Sequence, residues 1–143
     1  MKPHYIFVFA CLFPLMAWGQ TPFAPVAASE VVLADLLYLK RPVVVFADSA
    51  NDPNFIRQID LLSRDANTLA ERDVIVITDT DPANASAIRQ KLRPRGFSLV
   101  IIDKDGKTTL RKPLPWDVRE IAAAIDKFPL AIIEDLERHP AGR

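Results

Sequence analysis

The residues best suited to chemistry lie in one short loop. Asp48, Ser49 and Asn51 follow an apolar run and precede Asp52-Pro53, where a helix is expected to begin. A serine acts as a nucleophile only when a general base lies beside it. The only histidine after residue 4 is His139, which follows the last apolar residues of the chain. The sequence therefore does not support a Ser/His/Asp arrangement, and we predict no catalytic residue.

Two acidic stretches have the residue types of a metal site without its spacing. Asp79-Thr80-Asp81 is typical of a strand end at which Asp81 caps the next helix. Asp103-Lys104-Asp105-Gly106 resembles the start of a calcium loop, but its glycine comes too early and the later ligands are missing. This stretch is typical of a hairpin turn. We predict no metal and no cofactor; a metal-dependent or other hydrolytic enzyme that uses the acidic loop residues is the alternative.

One cluster of basic residues lies at the end of a predicted helix. It comprises Arg89, Lys91, Arg93 and Arg95. Cations near a helix C-terminus interact favourably with the helix dipole, so the cluster is typical of an exposed helix end. A patch for an anion or an acidic partner is the alternative. The chain has 18 basic and 18 acidic residues, and this balance argues against nucleic acid as a partner.

The N-terminus has the pattern of a secretory signal peptide over residues 1–19. Lys2 gives a positive start, an apolar run extends from Tyr5 to Leu15, and Ala17-Trp18-Gly19 places small residues before a cut. The run is shorter than the roughly 20 residues that span a bilayer, so we expect no stable membrane insertion after cleavage. Cleavage removes Cys11, the single cysteine. We therefore expect an exported protein, periplasmic or extracellular, that cannot perform thiol–disulfide exchange.

The rest of the chain alternates predicted strands and helices. Residues 20–28 are predicted as a spacer, and residues 29–143 as one domain. A strand–helix–strand unit, then a helix, a hairpin and a closing helix, is the minimal thioredoxin topology. We predict an α/β thioredoxin-like three-layer sandwich with a mixed four-stranded sheet that lacks the redox cysteines. The strands are predicted at 43–47, 74–78, 97–102 and 108–111, and the helices from Ser29 to residue 40, from Asp52 through Leu69, from Asp81 through Leu92 and from Trp116 to Lys127, with another turn or two at 130–137.

This topology indicates where a ligand would bind. Ligands of α/β sheets gather beyond the carboxyl ends of the parallel strands, which here is the 48–53 loop. Thioredoxins carry their paired cysteines at that point, and Ser98 takes the position often held by a cis-proline. The candidate binding groove comprises Asp48, Ser49, Asn51, Phe97 and Ser98. We expect a non-enzymatic domain that holds a protein or an envelope component there.

Several short motifs resemble the exported family catalogued as domain of unknown function 4174. They are Arg41, Glu71-Arg72-Asp73, Asp103-Lys104-Asp105-Gly106, Leu110-Arg111, Ile125-Asp126, Pro129 and Glu134. The resemblance covers residues 36–134, and its most specific part is the lysine–aspartate–glycine hairpin with the later isoleucine–aspartate and proline. It implies a thioredoxin-like domain without redox cysteines, related to a domain of secreted sushi-repeat proteins. The implied role is extracellular binding or structure, and no catalytic residue is implied.

Overall fold

A computed structural model describes residues 19–141 of the protein. The predicted signal peptide, apart from Gly19, lies outside the described residues. The described chain forms a five-stranded mixed sheet with helices on both faces. The strands are β1 (Val26–Ala27), β2 (Arg41–Phe46), β3 (Val74–Asp79), β4 (Ser98–Ile102) and β5 (Thr108–Lys112). The helices are α1 (Pro53–Ser63), α2 (Ala66–Ala70), α3 (Ala87–Leu92), α4 (Val118–Ile125) and α5 (Pro129–Arg138), with two 3-10 helices at Ala28–Glu30 and Leu33–Leu36.

The strands lie in the order β1-β3-β2-β4-β5. β2 runs parallel to β3, and β4 runs antiparallel to both β2 and β5, as the predicted topology requires. The predicted number of four strands is wrong, because β1 adds a fifth. β1 lies inside the predicted spacer and pairs in parallel with Ile77 and Thr78 of β3. Two residues between Pro25 and a 3-10 helix are too few to show the periodicity of a strand.

The sheet is buried on both faces, which explains the continuous apolar runs of its central strands. On one face, Val43 and Val45 of β2 pack with residues of α1, α2 and α4. On the other face, Val44 and Phe46 pack with Ile88 and Leu92 of α3 and with the 3-10 helices. These two cores make the fold a three-layer arrangement of helix, sheet and helix.

The helix boundaries differ from the prediction where polar side chains cap the backbone. The long helix predicted after residue 52 divides into α1 and α2, because the carboxylate of Asp65 accepts from the Thr68 amide and begins a new helix. α3 begins after Ser86 rather than at Asp81, since the Ser86 hydroxyl caps it. The predicted helix after Ser29 is replaced by the two 3-10 helices, and Arg41 begins β2. Within residues 19–141, no helix is both long and apolar enough to cross a membrane.

Candidate functional site

An open cleft lies where α3 turns back into the sheet. α3 ends at Arg93, which has a left-handed backbone with φ of 48°, and Gly96 adopts φ of 58°. Such a left-handed ending terminates a helix and reverses the chain. This reversal delivers the chain to β4. The resulting cleft has a volume of about 480 Å³ and is lined by Arg93, Arg95, Phe97, Ser98, Arg111 and Pro113.

Three arginines surround the cleft. Arg93 and Arg95 are exposed, and neither side chain makes an ion pair or a hydrogen bond to any residue between 19 and 141. Arg111 is anchored, because its Nη2 donates to the Leu92 carbonyl at 2.7 Å across the end of α3. Phe97 and Ser98 are buried and supply a less polar surface beside these cations. The arrangement suits a ligand that carries carboxylates next to an apolar or hydrogen-bonding group.

The structure divides the predicted basic cluster. Arg93 and Arg95 line the cleft, whereas Lys91 lines a separate small cavity beside the 3-10 helix at Leu33–Leu36. Arg89 points inward and pairs with Asp79, with 3.0 Å between Nη2 and Oδ1. Arg111 was absent from the predicted set. Its signal was the hairpin register, which places Arg111 opposite Val100 and therefore on the face of the sheet that carries α3.

Arg89 has a structural role at the carboxyl ends of β2 and β3. It also donates to the Ala47 carbonyl at 3.0 Å and lies 5.4 Å from the centroid of the Phe46 ring. Burial disfavours ionisation of Asp79, but the hydrogen bonds from Arg89 and Ser86 outweigh it and hold the pKa of Asp79 below its ordinary value. Asp79 is thus engaged inside the protein. No three His, Cys, Asp or Glu side chains between residues 19 and 141 are grouped to hold a metal ion.

The two parts of the predicted groove begin at the same end of the sheet, where β2 finishes and β4 starts, but they do not line one cleft. Ser98 pairs with Phe46, the last residue of β2, so the loop after β2 starts next to it. Asp48, Ser49 and Asn51 are exposed and are not among the residues that line the arginine cleft. The Ser49 hydroxyl accepts from the Asn51 amide at 3.1 Å, which fixes the turn before α1.

A second group of charged residues lies at the opposite end of the sheet, where β2 begins. Arg41 is 1% exposed. It donates to Asp103 and Glu134 at 3.0 Å each, and to the Arg72 carbonyl at 3.0 Å. Lys104 lies 2.7 Å from Asp73 and 2.8 Å from Glu134. We call Arg41, Asp73, Asp103, Lys104 and Glu134 the buried charge network, after its buried members Arg41, Asp103 and Lys104. Glu134 and Asp73 lie at its rim, with side chains 24% and 41% exposed.

The buried charge network is internally satisfied. Burial opposes the charge on Lys104, but its hydrogen bonds to Asp73 and Glu134 prevail and raise its pKa. Burial likewise opposes ionisation of Asp73 and Glu134, and their cationic neighbours hold the pKa of both carboxyls below the ordinary value. Each member has a partner of opposite charge. We therefore assign this network to the stability of the fold.

Comparison with solved structures shows a thioredoxin-like fold. Prx1a of Plasmodium yoelii aligns with a TM-score of 0.53 and 16% identity, over 79% of this chain and 84% of that chain. A Plasmodium yoelii protein named thioredoxin peroxidase I aligns with a TM-score of 0.50 and 17% identity, over 79% of this chain and 83% of that one. At these identities the likeness concerns the fold alone.

Residues 32–134 match the family described as Domain of unknown function (DUF4174), so the chain belongs to that family. No curated protein matches this chain in sequence. The members of the buried charge network all belong to the motifs by which the sequence resembles this family. The motifs that supply the network are therefore structural, whereas the motif Leu110-Arg111 contributes Arg111 to the arginine cleft.

Proposed function

We propose that this protein is a non-enzymatic, exported binding domain that holds an acidic segment of a protein partner in the arginine cleft. The observation that carries the proposal is the set of three arginines around one concave surface. Two of them, Arg93 and Arg95, are exposed and form no ion pair with a carboxylate within residues 19–141. An anionic ligand would relieve the mutual repulsion of these cations.

The other buried or half-buried cations of the domain support this interpretation by contrast. Four of these cations each form an ion pair with a carboxylate, namely Arg41, Arg72, Arg89 and Lys104. The fifth, Lys112, lies over the Trp116 ring. The fold thus pairs the cations that it needs for its own stability. Exposed cations elsewhere, such as Arg57 and Lys127, are also unpaired among the described residues, but the cleft arginines differ because three of them lie around one concave surface. The planar guanidinium group suits two-point recognition of a carboxylate.

The proposal does not include thiol chemistry. One structural neighbour is named a thioredoxin peroxidase, but the likeness extends to the fold only. The sequence contains no cysteine after residue 11.

Export would be tested by fractionating the cells and sequencing the N-terminus of the mature protein. We expect the mature chain to begin at Gln20 and to appear outside the cytoplasm; an intact N-terminus on a cytoplasmic protein would contradict this part of the proposal.

A charge-reversal experiment tests the cleft. The probe is a fluorescein-labelled peptide of about ten glutamates, long enough to follow the cleft as an extended chain, and its binding is followed by anisotropy. Exchanging Arg93 and Arg95 for glutamate should weaken binding by at least about tenfold, because two charge-assisted contacts are lost.

The matched control reverses two exposed cations outside the cleft, in the variant Arg57→Glu/Lys127→Glu. It has the same net charge as the cleft variant, and neither residue forms an ion pair among the described residues. Binding by the control should stay within about twofold of the unmodified protein at physiological salt, where distant charges are screened. Equal losses in the two variants would show a general charge effect and would contradict the cleft assignment.

A further inference from the structure

β5 forms an open edge of the sheet beside the arginine cleft. Its only pairing strand is β4, so one side of its backbone has no strand partner within the described chain. The other edge is formed by β1, which is two residues long and follows Pro25. β5 has five residues, of which Thr108, Thr109 and Arg111 are exposed. An exposed strand of this length is a template for pairing with another extended chain.

The positive charge of β5 determines which strands can pair with it favourably. Arg111 and Lys112 lie in the strand, Lys107 precedes it, and no acidic residue lies between positions 107 and 112. A second copy of the chain would place the same cationic strand opposite itself, and like charges across a strand pair are unfavourable. An acidic strand would gain attraction at the same positions. The edge therefore favours an acidic partner over self-association.

The two faces of β5 differ in chemistry. Arg111 points to the α3 face, where it lines the arginine cleft with Arg93 and Arg95. On the other face Leu110 packs against the core, and the Lys112 ammonium lies 4.5 Å from the centroid of the Trp116 ring. Side chains of a paired strand alternate between the two faces. A strand added to β5 would thus present every second residue to the arginines and the residues between them to an apolar and aromatic surface.

We propose that the acidic segment binds as a sixth strand along β5, with carboxylates directed to the arginine cleft and apolar side chains directed to the Trp116 side. This inference rests on the proposed function, and adds to it the binding mode and an alternating acidic–apolar pattern in the partner. Main-chain hydrogen bonds to β5 supply affinity, and the two faces supply specificity.

The experiment uses three labelled peptides of ten residues, about the span of a long strand, in which five glutamates and five valines alternate. The first is unmodified, the second carries N-methyl groups on the valine amides, and the third carries them on the glutamate amides. In a strand, these two sets of amides point to opposite edges. The two methylated peptides have the same charge and composition, so each is the control for the other.

Strand pairing predicts that one methylated peptide binds about as tightly as the unmodified one, and that the other binds at least about tenfold more weakly because its bonds to β5 are blocked. Amide hydrogen exchange in residues 108–112 should slow when the unmodified peptide binds. Equal binding of both methylated peptides would overturn the strand inference and leave the proposed function in place. Failure of all three peptides and of polyglutamate to bind would overturn the proposed function. A dimer whose β5 amides are protected without peptide would show that a second copy occupies the edge, and would also overturn the inference.

Discussion

Exchanging Arg41 for methionine removes a buried guanidinium while keeping much of the aliphatic volume of the side chain. Three acceptors then lose a donor: the Asp103 carboxylate, the Glu134 carboxylate and the Arg72 carbonyl. Glu134 keeps Lys104 at 2.8 Å. Asp103, whose side chain is 5% exposed, keeps the backbone amide of Lys104 at 2.8 Å and loses its counter-ion.

The unpaired Asp103 carboxylate determines how much stability Arg41→Met loses. Removing one member of a buried ion pair costs about 3–5 kcal/mol, because an uncompensated charge stays buried. The total free energy of unfolding of a domain of this size is about 5–15 kcal/mol. Arg41→Met should therefore lower the free energy of unfolding by about 3 kcal/mol or more, which is a large share of that total.

The assay is urea unfolding of the full chain, followed by circular dichroism with the slope of the transition compared between variants. Arg64→Met is the control, because Arg64 pairs with Asp60 at 2.6 Å on an exposed helix surface, where such a pair contributes about 0.5 kcal/mol or less. The double variant Arg41→Met/Asp103→Asn should recover part of the loss, since it no longer buries an unpaired carboxylate. If Arg41→Met lost less than about 1 kcal/mol, the interpretation of the buried charge network would be refuted.

Two further predictions concern pH and backbone conformation. Because the pKa of Glu134 is lowered in the folded protein, ionised Glu134 stabilises the fold at neutral pH, and this stabilisation is lost as the pH falls below about 4. Because the pKa of Lys104 is raised, charged Lys104 stabilises the fold below about pH 10, and this stabilisation is lost as the pH rises further. The urea midpoint should fall at both extremes, and a midpoint that is the same at about pH 3 and pH 7 would contradict the assignment. Gly96→Ala should cost about 1 kcal/mol because its φ of 58° is unfavourable for an L residue. Gly106→Ala should cost more, since its φ of 82° lies farther from the left-handed minimum near about 57°. The Leu37 side chain, 2.9 Å from the new methyl group, is exposed and can turn away. Thermal unfolding of the two variants checks the order, and the reverse order would contradict it.

The central strands could be predicted because burial on both faces leaves a continuous apolar run. Val43 to Ala47 and Val74 to Thr78 have this pattern. The first run overlaps β2 and ends one residue after it, and the second lies within β3. The cap at Asp52 was also predictable, because an acceptor followed by proline is a local signal. β1 was missed because its strand character comes from pairing with β3, and two residues carry no periodic signal.

The charged residues could be found in the sequence, but their roles could not. In the sequence, Arg89 belongs to a basic cluster typical of an exposed helix end. In the folded protein its side chain turns inward and pairs with Asp79, ten residues earlier. Arg111 lies 16 positions after Arg95, so their meeting at one cleft depends on the hairpin. Local patterns report neighbours within a few residues along a helix or strand, whereas this cleft is assembled from three elements.

The contact between Arg41 and Glu134 has a consequence for synthesis. The two residues are separated by 93 positions, and Glu134 lies on the last helix. A ribosome that has produced the whole sheet has still not produced the carboxylate that Arg41 and Lys104 share. Long-range contacts of this kind form late because the chain must first close a large loop. The buried charge network is therefore complete only after α5 has been synthesised and has packed against the start of β2.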